Sequence, residues 1–342
     1  MDVLASVFFV DVGQGTSQVI LFKDSSAVVV DCGESSDALI RLLDNLSFDR
    51  IRAVVLSHWH DDHVCGVPAF LKKYVAKIDG FLVSQDRPAC SVQTNRVFRH
   101  LDTESKNRTR FWIDQLQYTG RNDGLIHNTS DGVDEIRLRI IYPDFVENLD
   151  VQQQKDSNQG SGILVLECKD SRVLFPGDAG QMAFQAIVTR IGEGQPLQCD
   201  IVSAPHHCGK LARSERRAEG FANCYEWFYS SVVSAKYVVV SAGSDNTYDH
   251  PRPEHLAAAK ASGAVVMCTQ ITPQCHAQFS EVAPSVLLPV LLPSDCTQER
   301  GVGCAGTIQA DIAADGVEVH RFGEHQAAIE GRLAGQTPLC RR

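Results

Sequence analysis

The chain has 342 residues, 44% of them hydrophobic, and a formal net charge of −10 at pH 7. That apolar share can build a sizeable core and excludes global disorder; the acidic balance argues against a surface devoted to coating nucleic acid, whose phosphates are met by Lys and Arg. No apolar stretch approaches the roughly 20 residues of a bilayer-spanning helix, and no basic leader precedes the first strand-like run, so the expectation is a soluble, cytoplasmic protein with no membrane span.

In chain order, "VLASVFFVDVG" and "SQVILFKDSSAVVVDCG" read as β-rich runs with a turn at Lys23 to Ser26. "SSDALIRLLDNL" places Leu39, Ile40, Leu42, Leu43 and Leu46 at helical spacing behind Ser35 and Ser36. "IRAVVLS" is a short buried strand and "VCGVPAFLKKYVAK" a helix. From about Gln85 to Gly160 the apolar periodicity weakens, which predicts an insertion with a helix over Asn95 to Gln117 and a strand at "EIRLRIIYP". "GILVLECKD" and "SRVLFPGD" form a hairpin, followed by a helix over Gln181 to Ile191, a strand "CDIVSAP", a helix over Glu219 to Ser230, a strand "AKYVVVSAG" and a helix "PEHLAAAKASG". The proline-broken "VAPSVLLPVLLP" reads as extended or loop. The hairpin "GTIQADIAADGVEVHRF" closes the fold before a tail over 331–342. Two β-rich halves with helices outside imply one α/β domain, a four-layer αβ/βα sandwich.

"SHWHDDH" brings His58, His60, Asp62 and His63 to the junction of a strand and a helix. Residues two apart in an extended segment point the same way, so His58 and His60 can grip one ion; Asp62 and His63, past the turn, aim elsewhere. Imidazole and carboxylate suit Zn²⁺, Mn²⁺ or Fe²⁺. Three more strand ends carry similar groups: Asp178 in "FPGDAG", His206 and His207 in "APHHCGK", and Asp245, Asn246, Tyr248 and His250 in "SDNTYDHP". Ligand sites of open α/β sheets lie beyond the strand ends, where these segments can converge. Asp31 in "VVVDCG" and Asp11 in "DVGQG" read as carboxylates that support the ligands.

The order "DVGQG", "VVVDCG", "SHWHDDH", "FPGDAG", "APHHCGK" and "SDNTYDHP" resembles the metallo-β-lactamase fold superfamily, and in particular the hydrolase domain of ComEC-type competence proteins. The resemblance implies one ion on His58 and His60, a second on Asp62, His63 and one of His206 and His207, and Asp178 as the bridge. The other histidine of the pair and His250 would face the substrate's oxygens, with Asp62, His207 and His250 taking part in catalysis. Three departures stand out: Thr16 replaces an acidic residue after "DVGQG", Cys208 separates the paired histidines from glycine, and no clear ligand histidine lies between the cluster and Asp178, His100 and His127 being the candidates.

A pair of divalent ions, Zn²⁺ or Mn²⁺, suits in-line attack on phosphorus, so the expected activity is phosphodiester hydrolysis, with nucleic acid, DNA foremost, as the substrate. The alternatives are a phosphodiesterase or esterase for small or lipid-linked substrates, or a binding subunit that keeps the fold. Lys210, Arg213, Arg216 and Arg217 are candidate phosphate contacts, beside Asn246 and Tyr248. Basic residues of the insertion (Arg96, Arg99, Lys106, Arg108, Arg110) accompany Phe98, Phe111 and Trp112, which serve either base stacking or a lid helix. Among twelve cysteines, Cys268, Cys275, Cys296 and Cys304 are candidate ligands of a structural Zn²⁺ across the 268–304 loop; Cys32, Cys65, Cys168, Cys199 and Cys224 read as core filler.

Overall fold

The computed structural model describes residues 2–85, 91–120, 125–130, 135–154, 156–192, 196–211, 220–275, 301–332, 338 and 340. Fifteen strands among them form two sheets. The first carries β1 (Val3–Phe9), β2 (Gln18–Phe22), β3 (Ser26–Val30), β4 (Arg50–Leu56), β5 (Gly80–Val83), β6 (Trp112–Gln115), β14 (Ile308–Ala313) and β15 (Gly316–Val319), in the order β15-β14-β1-β2-β3-β4-β5-β6. The second carries β7 (Leu125–Ser130), β8 (Glu135–Tyr142), β9 (Ile163–Cys168), β10 (Ser171–Phe175), β11 (Leu197–Ser203), β12 (Val233–Val240) and β13 (Val265–Cys268), ordered β13-β12-β11-β10-β9-β8-β7.

The strand sequences explain the layers. Alternate residues of β1 face opposite sides: Val7 and Phe9 enter the core between the sheets with Ile20, Val28, Val55, Leu164, Phe175 and Ile201. Phe8 packs outward with Val19, Val29 and Val54. Both faces are thus apolar, as expected where a sheet is covered on both sides. The outer cover of the first sheet is α1 (Asp37–Asn45), the short α2 (Asp61–Val64), α3 (Val67–Tyr74) and α4 (Val92–Asn107), through Leu39, Leu42, Phe70 and Val97. After α5 (Phe145–Gln154), α6 (Gln181–Ile191), α7 (Cys224–Trp227) and α8 (Pro253–Ala261) cover the second sheet, burying Phe184, Tyr225 and Leu256. The result is the four-layer α/β sandwich read from sequence. Among the described residues, no helix is long and apolar enough to cross a membrane.

The segment expected as an insertion is woven into both sheets. Its predicted long helix ends at Asn107, and Trp112–Gln115 pairs parallel to β5. β8, with the burial alternation of a one-sided strand, pairs with β9. Short edge strands flanked by polar turns carry little periodicity, which is why the sequence pattern faded there. Phe98 and Phe111 are not free for bases: Phe98 stacks on Trp59 at 4.0 Å and Phe111 packs on Phe81 at 5.7 Å. Trp112 is partly exposed.

His127, a candidate ligand by sequence, is buried with its ring 3.6 Å from that of Phe22, and neither ring nitrogen has a hydrogen-bond partner. Burial pushes its pKa down to about 4, with Arg52 and Arg50 adding to the effect and Asp24 opposing it. The folded value lies below the ordinary 6.5, so the unfolded chain takes up the proton first; the neutral ring's contribution is complete above about pH 6.5 and declines as pH falls toward 4. Urea midpoints measured at pH 7 and pH 5 should therefore differ less in His127→Leu than in the parent.

Candidate metal centre

Every chemically active side chain of the cluster sits just past the carboxyl end of a strand. β3 delivers Asp31, β4 delivers Ser57 to His63, β10 delivers Asp178, and β11 delivers His206 and His207. The strand ends of the two packed sheets open on one rim, so His63 and His207, 144 positions apart, become neighbours.

Two groups of ligand atoms assemble there, His58, His60 and Asp178 in one and Asp62, His63 and His207 in the other. Their separations are informative. His63 Nε2 lies 3.1 Å from Asp178 Oδ1 and 3.3 Å from His207 Nε2. His207 Nε2 lies 3.3 Å from Asp62 Oδ2 and 3.4 Å from Asp178 Oδ1. Atoms bound tetrahedrally to one zinc at about 2.0–2.1 Å stand about 3.3 Å apart. Asp178 turns its other oxygen the opposite way, with Oδ2 3.6 Å from His58 Nε2 and 3.7 Å from His206 Nε2.

Tautomers follow from the partners, because a carboxylate or carbonyl oxygen only accepts. His63 Nδ1 donates to Asp31 Oδ2 at 2.8 Å, and His207 Nδ1 donates to the Ser241 carbonyl at 3.0 Å. Ser57 Oγ donates to Asp31 Oδ2 at 2.7 Å and so can accept from His58 Nδ1 at 3.1 Å. Each ring thereby presents a bare Nε2 to the centre. His58 Nε2 and Asp178 Oδ1 are buried without a hydrogen-bond partner. Burial works against a charge on His63, yet Asp178, Asp31 and Asp62 raise its proton affinity well above normal. Burial would likewise favour a neutral Asp178, but His63, His207, His206 and His58 hold its carboxyl well below the usual range. The centre requires a positive charge, and its imidazole and carboxylate donors fit divalent Zn²⁺ or Mn²⁺.

The backbone that holds this arrangement is unusual at several places, Asp31 with φ 56° among them. Gly15 has φ +116, and a Cβ there would stand 2.1 Å from the Asp62 carbonyl oxygen, which accepts from Thr16 N at 3.2 Å. Thr16, at the position expected to be acidic, also brings its hydroxyl 3.5 Å from His207 Nδ1. His206, His207 and Cys208 have φ of 51°, 52° and 63°, three successive side chains in the left-handed region. The cost of each, of order 1–2 kcal/mol, must be met by surrounding bonds: His206 N to Gly177 O at 3.0 Å, Arg252 N to Cys208 O at 2.9 Å, and His255 Nδ1 to Gly209 O at 2.8 Å.

A cleft of about 520 Å³ opens over the centre, lined by Gln14, Glu34, Trp59, Asp61, Ser91, Thr94, Tyr248 and His250 around His60, Asp62, Asp178, His206 and His207. Tyr248 is 64% exposed and its ring lies 5.8 Å from that of His250. Asn246 shapes this rim, donating to the carbonyls of Gly243 and His250 and accepting from the His250 amide. Burial, reinforced by His207 and His206, pushes the His250 pKa down to about 3, leaving a neutral ring at the mouth.

Several expected roles shift. Asp11 Oδ1 accepts from Gln270 Nε2 at 2.8 Å, so this carboxylate ties the segment after β13 to the first sheet. His100 lines a groove between α3 and α4. Lys210 contributes its backbone carbonyl, which accepts from His206 Nδ1 at 2.6 Å, while its side chain is exposed. Arg213, Arg216, Arg217, Cys296 and the proline-broken segment lie outside the described residues. Cys268, Cys275 and Cys304 are buried in one apolar cluster, with Cys340 packed against it, but the close groups of three or more ligand atoms among the described residues are the two His/Asp groups and include no cysteine. Ser57, Ser161, Ser241 and His255, which hold the ligands, carry no local pattern that singles them out from other residues at strand ends.

Comparison with known proteins gives matches to parts of the chain. The sequence model of the metallo-beta-lactamase superfamily matches residues 10–83, the span from "DVGQG" past the histidine cluster. The ribonuclease Z of Treponema denticola is 29% identical over 90 residues, 26% of this chain and 27% of that protein. An atrochrysone carboxyl ACP thioesterase of Pseudocercospora fijiensis is 30% identical over 89 residues, 25% of this chain and 27% of that protein. The chain therefore spans about a quarter of the length of these curated relatives. The metallo-beta-lactamase fold protein YhfI of Bacillus subtilis superposes over 77% of this chain and 95% of its own, with a TM-score of 0.44 and 16% identity.

Proposed function

We propose that this metallo-β-lactamase-fold chain is a two-metal hydrolase of phosphodiesters, with a nucleic acid strand as its leading substrate. The observation that carries the reading is Asp178, whose two oxygens face two separate groups of histidines. His58, His60 and Asp178 would hold one ion, and Asp62, His63, His207 and Asp178 the other. Such a pair, when bound, supplies Lewis acidity and an activated water for in-line displacement at phosphorus.

The chain's own residues do the rest. Asp31 and the Ser241 carbonyl fix the proton of His63 and His207 on Nδ1, so the ligand lone pairs point inward. Gln14 Nε2 reaches Asp62 Oδ2 at 3.5 Å and restrains that carboxylate at the cleft floor. His250, neutral at ordinary pH and lining the cleft, is placed to offer an N–H hydrogen bond to a substrate oxygen. The exposed Tyr248 ring offers a flat surface to a base. The motif order, similar to that of the ComEC-type hydrolase domain, supports nucleic acid as the polymer.

A second reading has its own support. The described lining of the cleft includes Glu34 and Asp61 but no Lys or Arg, which suits a small phosphodiester better than a polyanion. Incubation with Mn²⁺ or Zn²⁺ and either single- or double-stranded DNA, RNA or bis-nitrophenyl phosphate separates the two. Cleavage of the small ester with every polymer intact would overturn the nuclease reading; bound metal without turnover would point to a binding subunit. If bases stack on Tyr248, Tyr248→Ala should raise KM for an oligonucleotide by about 5- to 150-fold, equivalent to about 1–3 kcal/mol, and change kcat little.

A further inference from the structure

We infer that His206 is a ligand of the same ion as His58 and His60, so that the two consecutive histidines of the "PHHC" turn serve different metals. The inference rests on the two-metal reading above and deepens it. Asp178 divides the centre, and the two rings fall on opposite sides of it: His207 Nε2 lies 3.4 Å from Oδ1, and His206 Nε2 lies 3.7 Å from Oδ2. The Oδ2 side is the one that His58 Nε2 approaches, at 3.6 Å. His206 and His58 thus both approach Oδ2, although His206 stands outside the tighter group of His58, His60 and Asp178, so the ion would have to draw its ring inward.

The protonation pattern supports the same assignment. His206 Nδ1 donates to the Lys210 carbonyl at 2.6 Å, which leaves Nε2 as an acceptor, as in His63 and His207. An oxygen acceptor behind the ring is the usual companion of a ligand histidine. His250 lacks it: its Nδ1 is buried with no hydrogen-bond partner. The left-handed run also gains a purpose. In an extended or helical backbone, adjacent side chains would not straddle one carboxylate; with φ near 50° at both residues, the ring centroids stand 6.2 Å apart on either side of it. One group competes for the His206 nitrogen. Asn158 Nδ2 lies 3.3 Å from Nε2, and the partner oxygen of that amide is buried without a hydrogen bond, so Asn158 would have to yield to the ion.

His206→Asn tests the assignment cleanly. Asn tolerates the left-handed backbone and its amide can keep the Lys210 hydrogen bond, but it has no atom in place of Nε2. Titration of the metal-free protein with Zn²⁺, followed by calorimetry, should show two ions in the parent. His206→Asn should keep one and bind the other at least about 100-fold more weakly. Co²⁺ substitution gives an independent signal: the visible ligand-field bands of one site should change and those of the other persist. His250→Ala and Asn158→Ala should keep both ions. Two ions held with parental affinity in His206→Asn would overturn the inference, as would loss of an ion in Asn158→Ala with none lost in His206→Asn. A parent that binds no metal would overturn the two-metal reading itself.

Discussion

Asp178→Asn is expected to lose both ions together and to lower turnover by about 10³-fold or more. The substitution keeps the volume of a side chain that is 2% exposed, and the backbone N–H to Ser161 Oγ bond at 2.9 Å is untouched. What it removes is the charge that both groups share, together with one acceptor oxygen. An amide facing His63 and His207 on one side and His58 and His206 on the other must point its NH₂ at one pair of bare nitrogens. That pair would gain a hydrogen bond in place of an ion. Metal analysis after exhaustive dialysis, run beside activity, checks the result. Loss of one ion only would show that Asp178 belongs to a single site; retention of both would remove the basis of the proposed chemistry.

Asp31→Ala should be the most damaging change among the residues that no ion touches. Asp31 is fully buried and receives three donors, the Ser57 amide at 2.8 Å, the Ser57 hydroxyl at 2.7 Å and His63 Nδ1 at 2.8 Å. Alanine leaves them without an acceptor at the junction of β3 and β4, at a cost of about 3–5 kcal/mol to folding. It also frees the His63 ring to turn, which should weaken zinc by a further 10- to 100-fold or so. Asp31→Asn, similar in shape but with one acceptor oxygen for three donors, should fold better than alanine while still binding zinc poorly. Urea unfolding and zinc titration of the two variants measure the two effects separately. Parental zinc affinity in both would mean that the ring of His63 is oriented by something else.

Much of this centre was legible because its residues break a local rule. Titratable side chains as dense as His58 to His63, directly after the apolar Ala53 to Leu56, have no place on a solvated loop, and Asp31 and Asp178 end apolar strands in the same way. Which of His206 and His207 meets which group could not be read, because sequence spacing assumes an extended or helical backbone and these residues adopt neither. The bond of Asp11 to Gln270 was illegible for a related reason: it depends on a pairing between residues 259 positions apart, on which local sequence is silent. The second sheet's edge strands were obscured by their polar flanks. His255, which holds the Gly209 carbonyl from α8 and accepts from the Tyr229 hydroxyl at 3.2 Å, looked like any other helical residue.

The position of β1 in its sheet has a consequence for how the molecule comes into being. On one side β1 meets β2, a neighbour only a dozen residues on; on the other, Val3 to Phe9 run antiparallel to Ile308 to Ala313. A nascent chain therefore exposes one unpaired flank of its first strand throughout the synthesis of nearly everything else. At about 5–20 residues per second that interval lasts tens of seconds, long enough for a bare strand edge to recruit the wrong partner. A chain stopped short of residue 308 should consequently be recovered largely as aggregates, even though every metal ligand named above would already have been made.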